Sequence, residues 1–102
     1  MYKIIREQKA LTHIREISEY YEARSEGLGD KFLNELETII EKYITKHPKI
    51  YQIVHENIRQ ASLKRFEYKI SFVVEETEKQ IIILAVTHHK RDEREWRITN
   101  DE

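Results

Sequence analysis

At 102 residues the chain suffices for one domain with a buried core, and a single domain over residues 1–102 is expected. It has no cysteine, which excludes disulfide and thiolate chemistry, and no apolar run long enough for a membrane span. The formal net charge of −1 by itself predicts neither nucleic acid nor a membrane surface as partner.

The distribution of charge says more. From Glu7 to His47 there are nine acids and six bases. From Pro48 to Val74 there are five bases (Lys49, Arg59, Lys64, Arg65, Lys69) and two acids (Glu56, Glu67). A basic middle beside an acidic amino half is a field that a polyanion or an acidic protein segment can use. Met1 leads into YKIIRE with no apolar core of a signal peptide, and the absence of cysteine suits a reducing cytosol, so a cytoplasmic location is expected.

In chain order, Tyr2–Arg6 reads as a first strand through Ile4 and Ile5. From Gln8 to Ala23 the period becomes helical: Ala10, Leu11, Ile14, Ile17, Ser18 and Tyr21 share a face. Arg15, Glu16, Glu19 and Glu22 make the solvated side, where His13 is also expected. Gly27-Leu28-Gly29 then predicts a tight turn. A second helix is expected from Leu28 or Asp30 to His47, burying Phe32, Leu36, Ile40 and Tyr43, with Leu33, Ile39 and Ile44 widening the stripe. Pro48 ends it.

Pro48–Asn57 reads as a connector and Ile58–Leu63 as a strand. Phe66–Glu75 alternates, with Tyr68, Ile70, Phe72 and Val74 against Lys69, Ser71, Val73 and Glu75, the pattern of a half-buried strand. After a polar loop, Ile81–Val86 is apolar on both alternations, as a strand covered on both faces would be. It feeds into His88, His89, Lys90 and Arg91, so charge is expected at a fixed place at the sheet's end. The fold class expected is α+β: β-α-α-β-β-β, with a helical hairpin on one face of a mainly antiparallel four-stranded sheet.

Three stretches, YYEARSEGLGDKFLNELETII, HPKIYQIVHENIRQASLKRFEYKISFVVEE and IIILAVTHHKRDEREW, resemble the RelE/ParE superfamily of bacterial toxins, and more nearly its ParE-like branch. The resemblance covers about Ala10 to Trp96. It rests on Tyr20-Tyr21, Gly27-Leu28-Gly29 with Phe32, Pro48, Arg59, Arg65-Phe66, Tyr68, Ala85-Val86, His88, Arg91 and Trp96 in that order. It implies the toxic half of a type II toxin–antitoxin module, often called a plasmid stabilisation protein. ParE-like members inhibit DNA gyrase and trap it on cleaved DNA without cleaving bonds themselves. RelE-like members cut messenger RNA on the ribosome. A domain of this fold that has lost toxicity is a third alternative. The chain departs from the pattern at Glu67, where many relatives carry proline, and in a tail that offers Trp96 and no tyrosine.

The candidate residues follow. Arg59, Lys64, Arg65, Lys69, Lys90, Arg91 and Arg94 form an expected contact surface for target or antitoxin. The competing reading is charge that merely solvates a sheet face or protects its edge. Charge reversal at Arg59 and Arg65 is expected to weaken antitoxin binding more than reversal at Arg15 and Arg24. For RNA cleavage through its own 2′-hydroxyl, His88 or His89, Glu67, Arg59 and Arg91 have the required acid, base and cation chemistry. Adjacent histidines on a strand point to opposite faces and no HxxxH or cysteine companion exists, so no metal and no cofactor is expected. The partners expected are a cognate antitoxin, in a possible hetero-oligomer, and DNA gyrase, or alternatively the ribosome and its mRNA. No membrane partner is expected. Trp96 and the pair Tyr20-Tyr21 read chiefly as structural anchors.

Overall fold

The computed structural model describes residues 1–90. The element order is β1 (Lys3–Arg6), α1 (Gln8–Arg24), α2 (Leu28–Thr38) continued by a π-helical turn (Ile39–Ile44), a 3-10 turn (Pro48–Ile50), β2 (Ile53–His55), β3 (Ile58–Ser62), β4 (Tyr68–Glu75) and β5 (Gln80–His88). The strands form one mixed sheet in the order β1-β5-β4-β3-β2. β1 runs parallel to β5, and the other neighbours are antiparallel. The architecture is the expected α+β one with five strands in place of four. The extra strand, β2, lies inside the expected connector and pairs Ile53 with Arg59 and His55 with Ile58. At three residues it is too short to show a period.

β5 lies between β1 and β4, and the core forms where the two helices cover this part of the sheet. Ile14 and Ile17 of α1, with Phe32, Leu36 and Ile40 of the second helix, pack on Ile70, Phe72, Ile81, Ile83 and Val86. Ile58 and Ala85 are buried on the opposite face, against Val54, Val73 and Leu84. β4 buries residues on both faces in its first half. The half-buried reading of this strand fails there, where Ser71 is fully buried and Lys69 is 6% exposed between two neighbouring strands, and Val73, Val74 and Glu75 are partly buried.

The helical hairpin turns through Gly27, whose φ of +88° suits glycine. Glu22 holds the turn, its two carboxylate oxygens accepting the Gly27 and Gly29 N–H groups at 2.9 Å. At Gly29 the helices approach closely: a Cβ there would stand 2.6 Å from the Ser18 carbonyl oxygen.

The second helix differs from expectation at its end. Beyond Thr38 the winding becomes π, with the Thr45 N–H donating to the Ile40 carbonyl oxygen at 3.1 Å. Each residue advances less far around a π turn than around an α turn. Three residues after Ile40 the chain has not returned to the core, so Tyr43 is 53% exposed and Ile44 is buried instead. The regular winding stops at Ile44, before Lys46 and His47.

Candidate functional site

A cleft of about 440 Å³ opens where the last turns of α1, the loop between β3 and β4, and the end of β5 meet. Helix α1 supplies Tyr20, Tyr21 and Arg24. Tyr20 and Arg24 are one turn apart, so the guanidinium lies 5.3 Å from the Tyr20 ring centroid and donates to its hydroxyl at 3.1 Å. Tyr21 packs edge-on against Phe66 at 4.9 Å between centroids, in a cluster with Phe32 and Tyr68. Burial, reinforced by the neighbouring phenols, pushes the Tyr21 hydroxyl above its ordinary range, so it stays protonated.

The loop supplies Arg65, Phe66 and Glu67. Phe66 is its buried anchor, and α2 fixes its start: the Glu35 carboxylate accepts the Lys64 and Arg65 N–H groups and lies 3.5 Å from the Arg65 Nε. Main-chain bonds from Leu63 N–H to the Tyr68 carbonyl and from Tyr68 N–H to that of Phe66 close the turn. The side chain of Arg65 remains 78% exposed, so its ion pair with Glu35 is a weak tether.

β5 supplies His88, which pairs in register with Tyr68, the two rings 5.3 Å apart and edge-on. His88 Nδ1 accepts the Lys90 N–H at 3.1 Å, and Nε2 stands 3.3 Å from a Glu67 carboxylate oxygen. A neutral ring in this arrangement carries its proton on Nε2, facing Glu67, and its one lone pair is occupied by the Lys90 amide. His88 thus turns Nε2 towards the Glu67 carboxylate at ion-pair distance, and its Nδ1 lone pair is taken by the Lys90 amide. His89 is fixed differently: its N–H donates to the Glu67 carbonyl, and its Nε2 lies 2.9 Å from the Tyr68 carbonyl, an acceptor. Both histidines pin the end of β5 to the β3–β4 loop.

The structure brings Arg65, Glu67 and His88 to one cleft, with the His89 and Lys90 main chain bonded to Glu67 and His88, and places Arg59 and Lys69 elsewhere. Arg59 pairs in register with Phe72, four residues along β4 from Tyr68, which is about 13 Å at the rise of a strand. Its guanidinium donates to the carbonyls of Lys49 and Tyr51 at 3.2 and 2.7 Å and clamps the 3-10 turn to the sheet. Lys69, expected on an open surface, is buried between Ser62 and Thr87 in the middle of the sheet. Lys64 and Lys90 are exposed. Arg91, Arg94 and Trp96 lie outside the described residues. His13 is not on the solvated side of α1: its Nδ1 accepts the Val86 N–H at 3.2 Å and ties the helix to β5.

The structure adds Arg24 and Tyr20, which the sequence did not group with the basic residues, to the lining of the cleft. Arg24, expected to be remote from the basic surface, lines the same cleft as Arg65. The only local signal was the Tyr20–Arg24 spacing at the end of α1. Among the described residues no group of three His, Cys, Asp or Glu side chains is placed to hold a metal ion, and no helix is long and apolar enough to cross a membrane.

Comparison with known proteins agrees with this architecture. The profile of the family described as "ParE toxin of type II toxin-antitoxin system, parDE" matches residues 4–93. Among solved structures, the chain resembles one in the chromosomal ParDE toxin–antitoxin system of P. aeruginosa, at 20% identity and a TM-score of 0.65, covering 86% of this chain and 96% of that one. It resembles one in the intact E. coli RelBE toxin–antitoxin complex at 14% identity and a TM-score of 0.67, covering 89% and 100%. Isolated E. coli RelE is similar at 13% identity and a TM-score of 0.67, covering 99% and 98%. At these identities the structural likeness establishes the fold. No curated protein matches the chain in sequence.

Proposed function

The chain belongs to the ParE toxin family of type II toxin–antitoxin systems, and from that premise we propose that it arrests bacterial growth by binding DNA gyrase, without cleaving a bond itself. A cognate antitoxin neutralises it in a toxin–antitoxin hetero-oligomer, and both act in the cytoplasm, where gyrase is. The observation that carries this reading is the family match across residues 4–93, which spans the helical hairpin, the cleft and all of the sheet but its first residue.

The geometry of the cleft supports it. Arg24 and Arg65 offer exposed cations beside the Tyr20 ring, a surface suited to contact. His88 is poorly placed as a general base, because its lone pair is held by the Lys90 amide. Lys64 and Lys90 are added to the proposed contact residues, as are Arg91 and Arg94 from the sequence alone; Arg59 is assigned to the clamp on the 3-10 turn. The whole of residues 1–102 is read as one domain.

One observation favours a second reading. Arg65, Glu67 and His88 do converge, and these residue types also serve RNA cleavage in a RelE-like nuclease. Induced expression in a bacterium separates the two. The gyrase reading predicts a DNA-damage response and no codon-phased cuts in primer extension on cellular mRNA. Phased mRNA cuts without a DNA-damage response would overturn it in favour of the nuclease. Growth unaffected by folded, well-expressed protein would mean a non-toxic member of the family.

A further inference from the structure

β5 outruns its neighbour. β1 ends in register at the pair Arg6 and Ile83, and the Glu7 N–H donates to the Ile83 carbonyl oxygen at 3.0 Å as the chain turns into α1. Residues 84–88 of β5 continue with β4 on one edge, and among the described residues no strand lies along the other. Val86 stands in this stretch and is 2% exposed, so its N–H must find an acceptor within the protein. That acceptor is His13 Nδ1, at 3.2 Å. A helix side chain thus takes the place of a missing strand, two residues before His88. The bond sits in a hollow of about 340 Å³ lined by His13, Glu16 and Tyr20 of α1, Tyr68 of β4, and Val86 and His88 of β5. Tyr20, Tyr68 and His88 also line the candidate cleft, so His13 ties together two of its walls.

We propose that His13 is the positioning residue of the cleft: a latch that holds α1 against the end of β5 while its ring is neutral and lets go when the ring is protonated, so that the grip on the target weakens in acid. The last clause rests on the gyrase reading; the latch does not. An imidazolium has only donors, so protonation sets two N–H groups against each other at Val86. Of the groups around the ring, the Glu16 carboxylate on α1 favours the imidazolium, and Tyr20 and Tyr68 supply hydroxyls. His88 on β5 titrates as well, but its Nδ1 accepts the Lys90 N–H and its Nε2 faces Glu67, so it does not join α1 to the strand. Because the bond exists only with a neutral ring, the latched state binds fewer protons than the open one. Its contribution is complete above the ordinary histidine range, about 6.5, and is lost below it.

Since only the open form takes up the proton, a ring of ordinary pKa, about 6.5, raises the open population about tenfold from pH 7.5 to pH 5.5. Amide exchange at Val86 in the full chain, corrected for intrinsic exchange, should lose protection by that factor. His13→Asn sets an oxygen where Nδ1 stands and cannot be protonated there; it should hold Val86 protection within twofold over the same range. His13→Phe keeps a ring without an acceptor and should be poorly protected at both pH values. Glu16→Gln and His88→Gln should each retain the parent's response, which assigns it to His13. Ring ¹⁵N shifts test the latch without a substitution: Nδ1 of His13 should carry no proton at pH 7.5 and gain one as protection is lost. Affinity for gyrase should fall at least threefold further in the parent than in His13→Asn. The same pH response at Val86 in both proteins, or a proton on Nδ1 at pH 7.5, would overturn the latch. An equal fall in gyrase affinity in both would overturn its link to the target. A parent that binds no gyrase at either pH would fail the gyrase reading, and the latch would then stand or fall on Val86 protection alone.

Discussion

Replacing Gly29 by alanine tests how the helical hairpin sets the cleft. Helix propensity alone favours the change, by up to about 1 kcal/mol, because alanine is the better helix former. The structure predicts the opposite. The new Cβ would lie 2.6 Å from the Ser18 carbonyl oxygen, 3.0 Å from Glu22 Oε1 and 3.2 Å from Glu22 Cβ. Ordinary carbon–oxygen contacts begin near 3.3 Å, so the helices must separate by roughly 0.7 Å at this point. Overpacking of this kind costs about 1–3 kcal/mol, and the Gly29 N–H bond to the Glu22 carboxylate, worth about 1.5–3 kcal/mol, is stretched as well. Set against the propensity gain, the net destabilisation is about 1–3 kcal/mol, or on the order of 5–15 °C in Tm for a chain of this size. Thermal and urea unfolding followed by circular dichroism would measure it. Adding Glu22→Ala should not restore stability, because the closest contact is main chain. A Tm equal to or above the parent's would refute the close-approach argument, and with it the account of how Tyr20, Tyr21 and Arg24 are held over the sheet.

Three further outcomes follow from the same structure. Glu35→Ala removes the acceptor for the Lys64 and Arg65 N–H groups and should cost about 1–3 kcal/mol in urea unfolding while raising amide exchange across residues 63–67; unchanged exchange there would contradict the role given to Glu35. The Lys49 ammonium, with the Tyr2 hydroxyl, holds the Glu76 carboxyl down at about 2, so the folded state binds fewer protons than the unfolded one. The stability this contributes is complete above the ordinary carboxylate range and is lost as pH falls through that range towards 2; the gap in urea midpoint between the parent and Glu76→Gln should therefore narrow progressively between pH 6 and pH 2.5, and a gap independent of pH would refute the linkage. His88→Ala with His89→Ala should raise the inducer concentration that halves growth by less than about tenfold, whereas loss of a catalytic base or acid costs on the order of 10²–10⁴; an effect of that larger size in folded protein would favour the nuclease reading.

The elements with a sustained period were legible in the sequence. Ile14, Ile17, Phe32, Leu36 and Ile40 were placed in the core by helical spacing, and Ile81–Val86 was recognised as an interior strand because both alternations are apolar. The failures have local causes. β2 is three residues long and gives no period. Lys69 reads as solvent-facing by alternation, yet the sheet order puts its strand in the middle, and no local pattern encodes sheet order. Tyr43 fits an α stripe and is turned out by a π turn, which spacing at 3.6 residues does not register. Of the site, Arg65, Glu67 and His88 were identified singly. Their convergence with Tyr20 and Arg24 depends on three separate elements meeting at one end of the sheet, information that resides in topology alone.

The central claim is that the chain acts by binding gyrase. Purified toxin added to DNA gyrase and relaxed plasmid tests it most directly. The account predicts loss of supercoiling and accumulation of cleaved DNA as toxin is titrated, with Arg24→Glu plus Arg65→Glu shifting the half-maximal concentration at least tenfold. Supercoiling undisturbed by folded, growth-inhibiting toxin would contradict it.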